Sequence, residues 1–332
     1  MKEQLARVMR GSALSEDEAG AAMATIMDGQ ATPAQIGALL GALAARGETE
    51  DEVVGFARTM RARAAPLASR GAVDTCGTGG DGACTFNIST VSSLIVAACG
   101  VTVAKHGNRS AGGSCGSADV LEALGLRVDP PRAAVERSLE ELGWAFLFAP
   151  AFHEATRHAA GPRRELGTRT AFNLLGPLTN PARPHAQVLG VPRPELTGFM
   201  ARCLQRLGVR RAWVVHGSGL DELSPCGPTT VAAFDELGQR CFVVEPADAG
   251  IAPCDPAALR GGEPATNAAM ARAVLGGEPG PRRDAALLNA AAALLVAGRA
   301  SGLREGMAQA AEAVDSGRAA DVLARAIAIA GS

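Results

Sequence analysis

The chain has 332 residues, 47 % of them hydrophobic, and its 32 Lys and Arg against 34 Asp and Glu leave a formal net charge of −2. This length allows about two domains with a sizeable core, and the composition excludes a globally disordered chain. The near-neutral charge and the aromatic content of 3 % disfavour nucleic-acid binding, because little in the chain attracts phosphates or stacks on bases. Without a run of about 18 apolar residues or an apolar leader, the sequence predicts a cytoplasmic protein that does not associate with membranes.

Helix start signals dominate the first part of the chain. Three capping-box patterns, each a Ser or Thr followed three residues later by Glu or Gln, occur at Ser15–Glu18, Thr32–Gln35 and Thr49–Glu52. Pro33 adds a favoured first helical residue after Thr32. The pattern predicts a small α-helical domain over residues 1–70, which part of 160–185 is expected to join.

Beyond residue 70 the pattern changes to short apolar runs, glycine loops and helical stretches. Candidate strands are 72–76, 101–104, 212–215 and 241–244, and candidate helices are 89–99, 131–142 and 194–207. Such alternation predicts an α/β domain over 71–332 with a mostly parallel sheet. The Ala- and Leu-rich tail, 284–330, is predicted to be helical and to pack on that sheet.

Eight cysteines are distributed through the chain, at positions 76, 84, 99, 115, 203, 226, 241 and 254. No two have the C-x-x-C spacing, and most lie in apolar or glycine-rich stretches, unlike the cysteines of zinc sites or disulfide frameworks. We therefore expect reduced thiols, most of them in the core.

A glycine-rich loop, residues 77–82, follows the first predicted strand, and Ser89 and Thr90 open the helix after it. Each glycine weakens a regular element by about 0.5–1 kcal/mol relative to Ala, so this density indicates a backbone that approaches a ligand closely. Loop amides and hydroxyls at a helix N-terminus suit a phosphate or pyrophosphate. The loop also matches the dinucleotide-binding pattern G-x-G-x-x-G. That pattern expects an acidic residue roughly twenty residues later, at the end of the next strand, but this chain has the basic stretch 105–109 there. The sequence therefore disfavours a nicotinamide cofactor.

A second loop with anion-binding character follows the next predicted strand. Lys105, His106 and Arg109 lie within five residues, and with the segment 110–117 they form another cradle of phosphate size. Because consecutive parallel strands end at the same edge of a sheet, we expect this loop and the glycine loop to close on one ligand.

A third loop carries two adjacent carboxylates, Asp221 and Glu222, directly after the predicted strand 212–215. Adjacent carboxylates repel one another, so their place at a strand end suits a hard cation that also contacts anionic ligand oxygens. Magnesium with a diphosphate meets this description.

Motifs along nearly the whole chain resemble those of the anthranilate phosphoribosyltransferases, within the nucleoside-phosphorylase-like phosphoribosyltransferase family. The matching segments are 32–36, 76–82, 85–90, 105–109, 116–124, 163–167, 172–181 and 221–222. The resemblance implies a transferase of tryptophan biosynthesis that moves the 5-phosphoribosyl group of phosphoribosyl pyrophosphate to the amine of anthranilate. It also implies a homodimer formed through the helical domain. We further predict that the two domains close over the site, with the Arg163 region near the hinge.

The resemblance assigns roles to the matching positions. Phosphoribosyl pyrophosphate would contact Gly77, Gly80, Asp81, Thr85, Asn87, Ser89, Thr90 and Lys105. Magnesium would be held through Ser89, Asp221 and Glu222. Anthranilate would meet Gly77, Asn108 and Arg163, with His106 nearby and Gly176 and Pro177 shaping its channel. The remaining substrate-binding candidates are Gly107, Arg109, Gly112, Gly113 and Ser117. Lys105 and His106 are the candidates for stabilising charge during the reaction.

One segment departs from the family pattern. The family usually has Ser-x-Ser-Ser-Lys-Ser after the Asn-Arg pair, whereas residues 110–115 of this chain read Ser-Ala-Gly-Gly-Ser-Cys. Two hydroxyls are lost, and the backbone amides of Gly112 and Gly113 would have to hold the phosphate in their place.

Two alternatives stay open at this stage. A pyrimidine nucleoside phosphorylase has a related layout, but a nucleobase site would replace Asn108 and Arg163, and thymidine phosphorolysis would distinguish it. A non-catalytic relative that binds nucleic acid would have a basic groove and a broken Asp-Glu site, in contrast to the charge and the intact Asp221–Glu222 pair of this chain.

Overall fold

The computed structural model describes residues 1–69, 71–110 and 115–332. Its α-helices are α1 (Lys2–Met9), α2 (Glu16–Met27), α3 (Pro33–Arg46), α4 (Glu50–Arg63), α5 (Ile88–Ala98), α6 (Ser117–Leu124), α7 (Arg132–Leu142), α8 (Ala149–Phe152), α9 (Arg157–Leu166), α10 (Ala171–Leu175), α11 (Glu195–Arg206), α12 (Pro264–Leu275), α13 (Pro281–Val296), α14 (Leu303–Asp315) and α15 (Arg318–Ala330). Its strands are β1 (Val73–Gly77), β2 (Val103–Gly107), β3 (Trp144–Phe148), β4 (Ala186–Gly190), β5 (Arg211–Gly217), β6 (Thr229–Asp235) and β7 (Gly238–Val244). Short 3-10 helices lie at Glu154–Thr156, Gly176–Leu178, Pro246–Ala249 and Pro256–Leu259.

The N-terminal helices form a bundle whose starts follow the predicted caps. The side chains of Ser15, Thr32 and Thr49 each accept a hydrogen bond from the backbone N–H three residues later, so all three capping boxes are confirmed. Helix α2 packs against α4, and α3 packs against α1. Helices α9 and α10 come from the middle of the chain and pack on α2, α3 and α4. The exact boundaries 1–70 and 71–332 stay a prediction.

A seven-stranded sheet in the order β3-β2-β1-β4-β5-β6-β7 forms the second part of the molecule. Strands β1 to β5 pair in parallel, while β6 and β7 are antiparallel, which confirms the predicted α/β fold with a mostly parallel sheet. Side chains alternate between its faces. In β5, Trp213 and Val215 join a core with α5 and α13, whereas Ala212 and Val214 face α11 and the N-terminal bundle.

Some local predictions need correction. Strands β3, β4 and β6 and helix α1 were not predicted. Ala, Gln and Gly in β4 and the Ala pair in β6 have little β-propensity of their own. The cysteine prediction is wrong in part, since only Cys76 and Cys203 are buried, and Cys84 and Cys241 are exposed. Among the described residues, no helix is both long and apolar enough to cross a bilayer.

Glycine ends four of the five parallel strands, at Gly77, Gly107, Gly190 and Gly217. A Cβ atom would overlap with the loop after β5 at Gly77, Gly190 and Gly217, and with the Ser117 and Phe146 side chains at Gly107. At Gly190 it would overlap with the Asp221 carbonyl group, and at Gly77 with the Asp221 carboxylate. The missing side chains therefore let the loop after β5 cross the end of β4 and reach the end of β1.

Candidate active site

Three carboxylates gather where the loops after β1 and β5 meet. The N–H of Gly79 donates to Asp221 Oδ2 at 2.7 Å, and the N–H of Asp221 donates to Asp81 Oδ2 at 3.2 Å. Glu222 Oε1 accepts from the N–H of Ser89, at the start of α5, at 3.0 Å. The fold thus brings the glycine loop, the N-terminus of α5 and the Asp-Glu pair together, as the sequence predicts.

Burial and mutual repulsion act on these carboxylates. Burial raises the pKa of Asp221 well above its usual value, and the negative charges of Glu222 and Asp81 raise it further. Burial also raises the pKa of Glu222, although Lys105 and the Ser89 hydrogen bond oppose the rise. A hard cation between these groups would remove the repulsion, and their oxygen donors suit Mg²⁺.

The donor set is incomplete for a metal ion held by protein alone. In the described part of the chain, no three His, Cys, Asp or Glu side chains are arranged to hold a metal ion by themselves. Magnesium is commonly bound through one or two carboxylates together with substrate phosphates and water. The Asp221–Glu222 pair therefore suits a metal ion that binds together with an anionic ligand.

Lys105 supplies a buried cation beside this cluster. It lies on β2 and is only 2 % exposed, and its Nζ donates to the Thr75 carbonyl oxygen at 2.6 Å and to Ser89 Oγ at 3.4 Å. Its charge favours ionisation of Glu222 and of Asp74, a buried carboxylate on β1. A flexible side chain is thereby fixed with its ammonium group at the start of α5.

Hydrogen bonds to other segments position the residues that follow the glycine loop. Asn87 Nδ2 donates to the Cys115 carbonyl oxygen at 3.2 Å, and Asn87 Oδ1 accepts from Asn267 Nδ2 at 2.9 Å. Thr85 forms an isolated antiparallel bridge with Arg260, and Thr90 is buried at the start of α5. Gly112 and Gly113 lie outside the described residues.

His106 is buried and neutral at physiological pH. Burial lowers its pKa to about 3, and the neighbouring His153, whose ring centroid is 5.4 Å away, adds to the effect. Its Nδ1 lies 3.1 Å from the Gly176 carbonyl oxygen, beside Pro177, which suits a protonated Nδ1 of the neutral ring. This electrostatic environment argues against His106 as a positive charge in the reaction.

The other candidates of the second loop contact nearby segments. The Arg109 guanidinium forms ion pairs with Asp119 and Glu122 on α6, so its charge is directed to that helix. The Asn108 side chain accepts from the N–H of Arg109 at 2.7 Å, and the Ser117 hydroxyl donates to the Asn108 carbonyl oxygen at 3.2 Å. Gly107 ends β2 directly before this group.

Arg163 lies on α9 with its guanidinium carbon 4.8 Å from the centre of the Phe172 ring. It is half-buried and forms no ion pair with any residue in the described ranges. An Arg whose charge lacks a partner suits an incoming carboxylate, which its planar guanidinium can bind through two hydrogen bonds.

Sequence analysis missed Arg169, which contacts the glycine loop. Its Nη1 donates to the Gly79 carbonyl oxygen at 2.8 Å, and a Cβ at Gly80 would overlap with its guanidinium group. The Asp81 and Asp221 charges also act on it. Arg169 stands two residues beyond the motif segment 163–167, so only the three-dimensional arrangement identifies its role.

Asp74 and Asn180 form a second feature whose pairing has no sequence signal, although Asn180 lies in the matching segment 172–181. Asp74 Oδ2 accepts from Asn180 Nδ2 at 2.9 Å, and Asp74 Oδ1 accepts from the N–H of His106 at 3.4 Å. Burial raises the pKa of Asp74 to about 6, and Lys105 opposes the rise. Its place inside a strand was the only hint that this carboxylate is buried.

Comparisons with known proteins agree with this geometry. A family model described as the glycosyl transferase family, a/b domain, matches residues 69–320, and the helical bundle domain of the same family matches residues 2–64. The anthranilate phosphoribosyltransferase of Moorella thermoacetica is 56 % identical over 96 % of this chain and 95 % of its own length. That of Syntrophobacter fumaroxidans is 52 % identical over 97 % of each chain.

Solved structures extend the likeness to the fold. The crystal structure of anthranilate phosphoribosyltransferase from Thermus thermophilus has a TM-score of 0.94 and 45 % identity, with 99 % of each chain covered. The enzyme from Saccharomyces cerevisiae in complex with PRPP and Mg has a TM-score of 0.91 and 26 % identity, with 99 % of this chain and 97 % of the yeast chain covered.

Proposed function

This chain belongs to the anthranilate phosphoribosyltransferases of the glycosyl transferase family, and from that premise we propose how its residues carry out the reaction. The enzyme transfers the 5-phosphoribosyl group of phosphoribosyl pyrophosphate to the amine of anthranilate in tryptophan biosynthesis. The products are N-(5-phosphoribosyl)anthranilate and pyrophosphate. The observation that carries the residue assignment is the meeting of the glycine loop, Lys105 and the Asp221–Glu222 pair at one edge of the sheet.

The glycine loop and the start of α5 bind phosphoribosyl pyrophosphate in this proposal. The first amides of α5 are already hydrogen-bonded, so the glycine-loop backbone and the hydroxyls of Ser89 and Thr90 supply the donors, and the helix dipole favours negative charge there. The contributing residues are Gly77, Gly80, Asp81, Thr85, Asn87, Ser89, Thr90 and Lys105, together with Gly107, Gly112, Gly113 and Ser117 of the following part of the sequence. Arg169 holds the glycine loop through the Gly79 carbonyl oxygen and acts as a positioning residue.

Ser89, Asp221 and Glu222 would hold Mg²⁺ together with the diphosphate. The raised pKa values of the two carboxylates support this role, because the cluster gains most when a cation neutralises it. The bound ion would neutralise negative charge that develops on the leaving pyrophosphate. Among the chain's own groups, the Lys105 ammonium lies beside Ser89 and adds positive charge on the same side.

Anthranilate binds between Asn108 and Arg163, with Gly176 and Pro177 bounding its channel. Arg163 pairs with the substrate carboxylate, and half-burial strengthens that pairing. The aryl amine is already neutral at pH 7 and has a usable lone pair, so attack on the ribose carbon needs no strong base. The low pKa of His106 agrees with a role in shaping the channel as a neutral ring.

The chemistry depends chiefly on electrostatics and positioning. Fixed charges and backbone amides stabilise charge on the leaving group without reorganising, which is usually the largest catalytic contribution. Holding the amine in line with the breaking bond supplies much of the remainder. We also propose that the helical bundle closes over the sheet edge, with the Arg163 region near the hinge.

A direct assay tests the proposal. Protein is incubated with phosphoribosyl pyrophosphate, Mg²⁺ and anthranilate, and the loss of anthranilate fluorescence is followed. We expect the loss only when all three are present, and equal amounts of pyrophosphate should be released. Unchanged fluorescence under these conditions, or phosphorolysis of thymidine in their place, contradicts the proposal.

A homodimer through the N-terminal helices and a cytoplasmic location complete the proposal. The dimer predicts a solution mass of twice 33.7 kDa, which light scattering measures directly. A mass equal to that of one chain at assay concentrations contradicts this part alone.

A further inference from the structure

Two cysteines outside the substrate-binding residues lie in direct contact. Cys226 lies in the segment 218–228 between β5 and β6, and Cys254 lies between two 3-10 helices, Pro246–Ala249 and Pro256–Leu259. Their Sγ atoms are 2.6 Å apart. The N–H of Cys254 also donates to the Pro225 carbonyl oxygen at 3.2 Å, so the backbone itself holds the two thiols together.

The pair is accessible to a small reagent. Both residues are half-buried, whereas Cys76 and Cys203 are buried and lie in the core. In the part of the chain that the structure describes, no other two cysteines contact each other through their sulfur atoms. Proximity and access favour an intramolecular thiol–disulfide exchange, which also needs a thiolate as the attacking group. Burial and the neighbouring Cys226 raise the pKa of Cys254 to about 12, so we assign the first attack to Cys226.

We propose that Cys226 and Cys254 form a reversible redox modification site, whose oxidant is a low-molecular-weight disulfide such as oxidised glutathione. One cysteine thiolate attacks the small disulfide, forms a mixed disulfide and releases one reduced thiol. The second cysteine thiolate then attacks the protein sulfur of that mixed disulfide and releases the second reduced thiol. Two protein thiols are oxidised, one small disulfide is reduced, and the two cysteine protons pass to the released thiolates.

The bond joins two segments that border the candidate site. Segment 218–228 carries Asp221 and Glu222. Segment 251–261 runs beside the end of the glycine loop, where the N–H of Phe86 donates to the Leu259 carbonyl oxygen at 3.0 Å and the N–H of Gly261 donates to the Cys84 carbonyl oxygen at 2.8 Å. Oxidation therefore restrains both segments against local opening.

Mass spectrometry tests bond formation in the full-length protein. The protein is incubated in an oxidised-glutathione buffer, free thiols are blocked, and the intact mass is measured. We expect the loss of two hydrogens, which is restored by reduced glutathione, and six blocked thiols where the reduced protein has eight (8 − 2 = 6). Trypsin cleaves after Arg240, so the bond should appear as a link between the peptides 212–240 and 241–260.

Matched variants identify the bonded residues. Cys241 lies in the same tryptic peptide as Cys254 but is exposed on β7 and is not part of the Sγ contact, so Cys241→Ser should keep the link. Cys254→Ser should lose the link and leave Cys226 free or as a mixed disulfide. Eight free thiols, glutathione adducts alone, or a link that disappears in Cys241→Ser would each overturn the proposal.

Hydrogen exchange tests the restraint. In the oxidised protein, amide exchange in 218–228 and 251–261 should slow by roughly tenfold or more, because the crosslink disfavours opening. The N-terminal helices α2 and α4 serve as the internal reference and should not change. Equal amide exchange rates of these two segments in the reduced and oxidised protein would contradict the proposed restraint. None of these measurements uses a substrate, so they stand or fall separately from the enzymatic assay.

Discussion

Two acidic sites, one buried inside a strand and one half-buried in a loop at the sheet edge, differ in whether the fold completes them. Asp74 lies inside β1, where Asn180 and the N–H of His106 donate to it and Lys105 provides a cation. Asp221 and Glu222 each accept one backbone N–H and face each other's negative charge and that of Asp81, and Lys105 offsets this repulsion only for Glu222. A buried carboxylate that has donors and a cation serves the fold, whereas like charges gathered at a strand end are completed only by a ligand.

The largest expected effect comes from removing the charge of the incomplete site. The double variant Asp221→Asn with Glu222→Gln should lower magnesium-dependent kcat/KM by about 10²–10³, because the leaving group loses electrostatic stabilisation. Its unfolding free energy without magnesium should stay equal or rise, since repulsion is removed. Steady-state kinetics and urea unfolding measure both. Unchanged turnover would refute the metal assignment, and Asp129→Asn, an exposed carboxylate, is the control.

Removing the carboxylate of the complete site, Asp74, should instead lower the unfolding free energy. Asp74→Ala should lower the unfolding free energy by about 2–3 kcal/mol, because the buried Asn180 amide and the Lys105 charge lose their partner. Asp74→Asn keeps the shape and an acceptor oxygen, so its cost should be smaller. Urea unfolding curves measure the difference. Equal stabilities of the two variants would contradict the role of Asp74 as an acceptor for Asn180.

The dependence of stability on pH distinguishes the two sites further. Asp74 has a pKa of about 6 in the folded protein and 3.8 as an ordinary side chain, so the folded form binds its proton more tightly. Stability should therefore fall by about 1–3 kcal/mol as pH rises from 4 to 6, a fall that Asp74→Asn removes. The raised pKa values of Asp221 and Glu222 add a fall of the same sign, which magnesium with pyrophosphate should reverse. A pH dependence of the unfolding free energy that changes neither in Asp74→Asn nor on adding magnesium with pyrophosphate would contradict the comparison.

The smallest expected effect concerns Arg169, the cation beside the incomplete site. Arg169→Gln should raise the KM for phosphoribosyl pyrophosphate by about threefold with little change in kcat, because one exposed hydrogen bond to the glycine loop contributes about 0.5–1 kcal/mol. Arg169→Lys should restore part of the affinity by keeping the charge. Initial-rate kinetics measure both, with the exposed Arg164→Gln as the control. A large loss of kcat would contradict a purely positioning role.

Local signals explain what the sequence could predict. Capping boxes at Ser15, Thr32 and Thr49 depend on residues three positions apart, and all three are present in the folded helices. The glycine loop and the Asp221–Glu222 pair also follow their strands directly, so their meeting at one sheet edge was predictable.

Features that depend on distant segments were not predictable. Strand β4 was missed, and with it the passage of the Asp221 loop over Gly190. Asn267, which holds Asn87, is 180 residues away in the chain. No local pattern encodes such contacts, because they arise only when the sheet order brings the segments together.

The row of glycine-ended strands makes the loops of this enzyme mutually dependent. A methyl group added at the end of β4 would displace the backbone of Asp221, a residue of the loop after β5 whose carboxylate contacts the loop after β1. Natural variation in this region is consequently expected to change several loops in concert. A redesign of the specificity of one loop must keep glycine at the last position of each of these strands.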